Sequence, residues 1–164
     1  MALAVRCHAG PVVMPEIREV DAAATHDVRR LVLREARPDA NVRYDEDALA
    51  ETFHLAAVAG DGAVVGVSTW APVATDLRPG ASAWRLRGMA VLPDQQGGGV
   101  GAALLVAALE RLRARGVDVV WADGRDGALP FYERHGWSVE GEGFETAGGI
   151  PHHHVVLDLG ATGG

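Results

Sequence analysis

Four glycines fall within five positions in Gln96-Gly97-Gly98-Gly99-Val100-Gly101-Ala102. The apolar run Met89-Ala90-Val91-Leu92 comes just before, and residues at helical spacing come after. A glycine-rich loop that opens a helix leaves backbone N–H groups uncovered, and such groups bind anions, phosphates above all. The chemistry on offer is a grip on a phosphorylated ligand, and several loop types compete for it. A P-loop needs Lys and then Ser or Thr after its last glycine, and Ala102-Ala103 stand there instead. A dinucleotide fingerprint, G-x-G-x-x-A, fits Gly97 to Ala102, with Asp123 about 20 residues on where a ribose-binding acid would stand. Against that reading, hairpins precede the loop where βαβ units are expected, and Pro93-Asp94-Gln95-Gln96 lengthens the turn. A bare turn with no ligand is opposed by the backbone entropy that each glycine adds.

The elements that must position this loop follow from periodicity. Glu16 to Val20 alternates as a first strand. Asp21 or Thr25 can cap a helix carrying Val28, Leu31, Val32 and Glu35, which Arg37-Pro38-Asp39 ends. Asp45 to Thr52 reads as a second, more polar helix. Phe53 to Ala59 and Ala63 to Trp70 are strands joined by the turn Gly60-Asp61-Gly62. Pro72 to Gly80 is a loop; Ala83 to Leu92 is a strand whose end is apolar on both faces, hence central. The helix after the glycines spans Val100 to Arg115, with Leu105, Ala108, Leu109 and Leu112 as its buried stripe. Val117 to Trp121 is a buried strand, and Asp126 can cap a short helix reaching His135. Trp137 to Gly141 and His153 to Leu159 make a last hairpin. This order predicts an α/β (α+β) domain, a mixed sheet flanked by helices, over residues 14–159. Residues 1–13 are expected as a flexible extension and 160–164 as a tail.

Bulk composition narrows the partners. The chain has 164 residues, enough for one domain with a core. A net charge of −7 argues against nucleic acid as the main partner, since phosphate-backbone binding needs a basic footprint. The acidic balance favours a cationic or amine ligand. The lone Cys7 permits no intrachain disulfide and points to a reducing cytoplasm; it lies in an unpatterned stretch where catalysis is not expected. No apolar run has membrane-spanning length, and Met1 to Val5 lacks a signal-peptide pattern.

Gln96 to Gly101 also matches [RQ]-x-x-G-x-[GA], a pyrophosphate loop for acyl-CoA. Arg87-Gly88-Met89-Ala90-Val91-Leu92-Pro93 matches a central strand and its exit. Ala128-Leu129-Pro130-Phe131-Tyr132-Glu133-Arg134-His135-Gly136-Trp137 matches A-x-x-F-Y-E-x-x-G-[FW]. With these motifs in this order, the chain resembles the GNAT superfamily of N-acetyltransferases over most of its length. Gly141 to Phe144 and Gly149 to His152 are similar to its ElaA-like branch. The resemblance implies a GNAT acyl-CoA N-acyltransferase fold, acetyl-CoA as co-substrate, and direct attack of an amine on the thioester. It implies that the N–H groups from Gly97 to Ala102, entered through Gln96, hold the pyrophosphate. Met89 and Val91, with Ala90 between them, would pair with the pantetheine arm. Phe131 and Tyr132 would sit near the sulfur, with Tyr132 as general acid toward the leaving thiolate.

An amine with a pKa of about 10.4 must lose a proton before attack, which costs about 4.6 kcal/mol at pH 7. A base or a water relay must take that proton. Glu142 and His152 flank the last hairpin and are the candidates. Many family members carry Asn where this chain has Arg125, so the usual amide contact to pantetheine is in question; Arg125 could reach a phosphate, or pair with Asp126 or Asp123. In His152-His153-His154 only the first and third share a strand face, and no further ligand is evident, so no metal is expected. Two other readings stay open: a small dinucleotide-binding oxidoreductase, and a non-catalytic acyl-CoA-binding module. The acceptor expected is a small-molecule or peptide amine, and pairing through the last strands is the expected route to a homodimer.

Overall fold

The computed structural model describes residues 13–146 and 148–160. Cys7, nearly all of the 1–13 extension and residues 161–164 of the tail lie outside the described residues. Seven strands form one sheet: β1 (Glu16–Val20), β2 (Phe53–Val58), β3 (Val64–Ala71), β4 (Ala83–Val91), β5 (Val119–Arg125), β6 (Ser138–Thr146) and β7 (Ile150–Asp158). Their order is β1-β2-β3-β4-β5-β7-β6, so the strand before the glycines is the fourth of seven, as its apolar end predicts. Every neighbouring pair is antiparallel except β4 with β5. A dinucleotide fold would have made most pairs parallel.

Alternation along β2 divides the core between two faces. Leu55 and Ala57 pack with helix α2 (Val100–Ala114), while Ala56 and Val58 pack with Val28, Val67 and Ala90 on the other side. The α2 stripe of Leu105, Ala108, Leu109 and Leu112 is buried as the spacing predicts, and Leu104 joins it. Each leucine side chain buried this fully contributes about 1.5–3 kcal/mol. The helix closes at Gly116, whose φ of 73° suits a left-handed cap.

Three local expectations are corrected. The helix after β1 is short and irregular: a 3₁₀ turn (Ala22–Thr25) capped by Asp21, α1 (His26–Val28), then a π turn (Arg29–Leu33). Regular geometry ends at Arg29, which is 1% exposed and sends its guanidinium inward to Val42, Asp47 and Thr69. The chain leaves this helix through Glu35 and Ala36 at φ 52° and 58°, ahead of Arg37-Pro38. Asp45 to Thr52 is not a helix but one 3₁₀ turn (Asp45–Ala48), because Glu46 and Asp47 turn inward onto arginines. Asp126 does not cap α3 (Leu129–Arg134); its carboxylate meets His153 Nδ1 at 2.7 Å. Among the described residues no helix is long and apolar enough to cross a membrane.

Candidate active site

The site exists because the sheet splits beside β4. β4 and β5 pair only over Ala83 to Arg85 and Val119 to Trp121, and from Leu86 onward β4 has no strand on that side among the described residues. The cause lies on β4's other edge. Arg87 pairs with Thr69 and Ala90 with Val67, so Gly88 and Met89 together face Ser68. Such a bulge bends its strand and tightens the twist. Gly88 adopts φ 66°, and a Cβ there would stand 2.8 Å from Tyr44 Cε2, so both conformation and space ask for glycine. β5 meanwhile stays with β7 as far as Arg125 opposite His152.

Beyond the split, the glycine loop joins β4 to α2. Gly97 and Gly99 have φ of 80° and 88°, and Gly99 is the N-cap of α2 with no side-chain cap. From Gly97 onward, the first N–H to find a backbone partner is that of Ala103, on Gly99 O at 3.0 Å. The six N–H groups from Gly97 to Ala102 have no protein acceptor among the described residues, and the helix dipole adds positive potential there. Gln96 Nε2 donates to the Val91 carbonyl at 2.9 Å, which ties the loop entrance to the end of β4. That carbonyl is therefore already in use. Gly101 lies in the helix, where a Cβ would stand 3.2 Å from Phe131 Cζ, so its absence seats the Phe131 ring. A groove of about 480 Å³ runs along these residues, lined by Met89, Ala90, Val91, the loop and Phe131; Gly98 is the one loop glycine outside it.

A second cleft, about 570 Å³, lies on the other side of Met89. Met89 and Ala128 line both, so the two spaces meet in the split. Tyr132 lines the cleft and is 6% exposed; its ring rests edge-on against Trp137 and Phe131, and Gly124 leaves room for it. Burial pushes its phenol up to about 12. His152 lines the same cleft and is 8% exposed. Its Nδ1 lies 2.8 Å from the Ile150 carbonyl, which can only accept; Nδ1 therefore carries the proton, and Nε2 of the neutral ring is the free acceptor.

Glu142 is not brought to the site. β6 bulges between Glu140 and Phe144, with Gly141 at φ 80° and the His153 ring packed where a Gly143 side chain would go. The bulge carries Glu142 into solvent, and it lines neither space. Arg125 pairs with neither Asp126 nor Asp123; it donates to the Leu33 carbonyl at 3.2 Å and lines the cleft, not the groove. Asp123 instead receives Arg85 at 3.0 Å and meets His154 Nδ1 at 2.7 Å. His152 and His154 flank Phe144, at 5.9 and 4.7 Å between ring centres. Among the described residues no group of three His, Cys, Asp or Glu side chains could hold a metal ion.

Sequence reasoning missed the charged wall of the cleft. Arg87 donates twice to Glu46, at 2.9 and 2.7 Å, and Arg85 once at 3.1 Å. Tyr44 lies between the Arg29 and Arg87 guanidinium groups, at 4.2 and 4.3 Å. Burial alone would raise the Glu46 carboxyl, but its own backbone N–H and the two arginines outweigh this and hold it below the usual carboxylate range. The available signal was Arg85 and Arg87, two cations at alternate positions on a strand that reads as central.

Known proteins carry the same architecture. The sequence model of the acetyltransferase (GNAT) family matches residues 21–137. The uncharacterized N-acetyltransferase YitI of Bacillus subtilis (strain 168) is 32% identical over 143 residues, which cover 87% of this chain and 95% of that protein. Among solved structures, Escherichia coli ElaA superposes with a TM-score of 0.69 at 19% identity, covering 87% of this chain and 99% of its own. An aminoglycoside 6'-N-acetyltransferase complexed with coenzyme A gives 0.67 at 16% identity, covering 88% and 97%. The split beside β4, the open N–H groups at Gly97 to Ala102 and these matches agree: the chain belongs to the GNAT family and is an acetyltransferase.

Proposed function

We propose that this chain transfers an acetyl group from acetyl-CoA to a free amine by direct attack, without an acyl-enzyme. The observation that carries the reading is the meeting of groove and cleft at Met89 and Ala128. A thioester, when bound, supplies an acetyl group already activated toward amines. The N–H groups from Gly97 to Ala102 hold the pyrophosphate in the groove. The open edge of β4 at Met89 and Ala90 runs beside the pantetheine arm, and Val91 contributes without its carbonyl. Phe131, seated on Gly101, forms the apolar wall next to the sulfur.

Tyr132 lines the cleft where it meets the groove, and on this reading it would face the leaving sulfur. A phenol at about 12 is fully protonated at neutral pH and can donate. Full transfer to a thiolate whose acid has a pKa of about 8.5 is uphill by about 3.5 units, about 4.8 kcal/mol. Tyr132 therefore acts first as a hydrogen-bond donor that stabilises the sulfur anion, and passes its proton only as another reaches it. His152 supplies the matching base: its free Nε2 takes the amine proton, directly or through water. The reducing cytoplasm fits a chain with one cysteine. A homodimer through β6 would bring two copies of an edge strand that exposes Glu142 and Glu145 against each other, so sedimentation of the 17.2 kDa chain decides that part of the reading.

The test is calorimetric titration with CoA, followed by thiol release across an amine panel for the wild type and Tyr132→Phe. We expect CoA affinity to persist and kcat to fall by about 10²–10⁴-fold in the variant. Unchanged turnover would make Tyr132 a packing residue only. CoA binding without release from any amine would favour a non-catalytic binding module.

A further inference from the structure

The cleft that holds Tyr132 and His152 is lined by five arginines against two carboxylates, in a chain of net charge −7. It opposes the sign of the whole molecule. Arg85 and Arg87 are neutralised by Glu46 and Asp123. Arg34, Arg37 and Arg125 have no carboxylate partner among the described residues. Arg34 Nη1 and Arg125 Nη2 donate to one and the same carbonyl, that of Leu33, each at 3.2 Å. Arg34 Nε reaches the Asn41 carbonyl and Arg37 Nε the Arg34 carbonyl, both at 3.2 Å. These backbone acceptors orient the guanidinium groups without cancelling their charge. The remaining N–H groups of all three find no acceptor among the described residues.

The two guanidinium groups that share the Leu33 carbonyl repel each other, and a bound anion would relieve that repulsion. The turn that brings Arg34 and Arg37 here is itself strained: Glu35 and Ala36 both sit at positive φ, a region that residues with a Cβ rarely adopt. Strain of this kind persists where surrounding structure enforces it, and it gathers at ligand sites. The planar forks of arginine match carboxylate and phosphate oxygens in pairs.

We propose that the acceptor is an amine that also carries an anionic group, a carboxylate or a phosphate, and that Arg34, Arg37 and Arg125 bind that group. The proposal rests on the acyl-transfer reading above and narrows its substrate class. It reverses the expectation of a cationic acceptor drawn from overall charge. Anchoring the anion at the Leu33 end leaves the amine to turn toward Tyr132 and His152. The same field disfavours an ammonium, which helps the amine lose its proton.

The test compares matched amines at saturating acetyl-CoA: β-alanine with β-alaninamide, and phosphoethanolamine with ethanolamine. The wild type should favour the anionic member of a pair by about ten-fold or more in kcat/KM, through KM. Arg34→Gln/Arg37→Gln should erase that preference while leaving the CoA Kd in place, which also reports that the variant is folded. Equal or better use of the neutral members overturns the proposal. So does a variant that loses CoA affinity instead, since the arginines would then serve a phosphate of the co-substrate. If no amine releases thiol, the acyl-transfer reading has failed on its own. The anion site is then read by calorimetry of β-alanine and phosphoethanolamine on CoA-loaded protein: binding lost in the variant supports it, and no binding to the wild type overturns it.

Discussion

At the scale of single residues, the most consequential side chain outside the chemistry is Arg29. It is 1% exposed, and it donates to Asp47 twice, to the Val42 carbonyl and to Thr69 Oγ1, at 2.6–3.0 Å. Thr69 in turn lies 2.8 Å from His54 Nδ1. Burial alone would raise the Asp47 carboxyl, but Arg29 and the Tyr44 N–H outweigh it and hold it below the ordinary range. A charge this deep is tolerable only while its partner remains. Asp47→Ala should therefore cost about 3–5 kcal/mol of stability in urea unfolding, and Arg29→Met in the same background should recover part of it. A loss under about 1 kcal/mol would mean that solvent reaches Arg29 and the pair counts as a surface one. The sequence shows Arg29 only as one of two adjacent arginines on a helical face, with nothing to mark which of them turns inward.

At the scale of elements, the bulge in β4 is the local decision that makes a site. Gly88 combines a left-handed φ with contact on Tyr44, so Gly88→Ala should destabilise by roughly 2–5 kcal/mol, from strain and overpacking together. Gly60 has open space and ordinary φ, and Gly60→Ala is the control expected to stay near neutral. A shift in the denaturant midpoint with unchanged slope reads out both; equal behaviour of the two variants would deny the bulge its special role. The strands and α2 were legible from the sequence because alternation and helical spacing are local properties. The glycine loop was legible because its residue types state their own backbone need. The split was not, since it arises from the register of β3 against β4, a pairing that no local pattern carries. The exposed place of Glu142 was hidden for the same reason: strand alternation says nothing of a bulge. The acidic run at Asp45 to Asp47 looked like a polar helix face because its partners, Arg29, Arg85 and Arg87, are distant in the chain.

At the scale of the whole molecule, the buried polar residues set how stability responds to acid. Burial pushes the His54 imidazole below its ordinary 6.5, against the pull of Asp47. The unfolded chain then takes up that proton more readily, so stability is complete above 6.5 and declines as pH falls through it. Glu46 and Asp47, also held low, add a second decline below their ordinary 4.5 and 3.8. Urea midpoints at about pH 7.5, 5.5 and 3.5 should show both steps, and His54→Gln should remove the first alone. A midpoint flat between the two higher values would mean that His54 binds its proton as easily folded as unfolded. The three-residue ladder between β4 and β5 has one more consequence. Among the described residues it is the one strand pairing between the β1–β4 half of the sheet and the β5–β7–β6 half, so the two halves diverge from it like the arms of a lever. A slight rotation about Trp84 and Val120, at the fulcrum, becomes a larger displacement at the mouth. The opening can thus be widened or narrowed by residues that never touch a reacting atom.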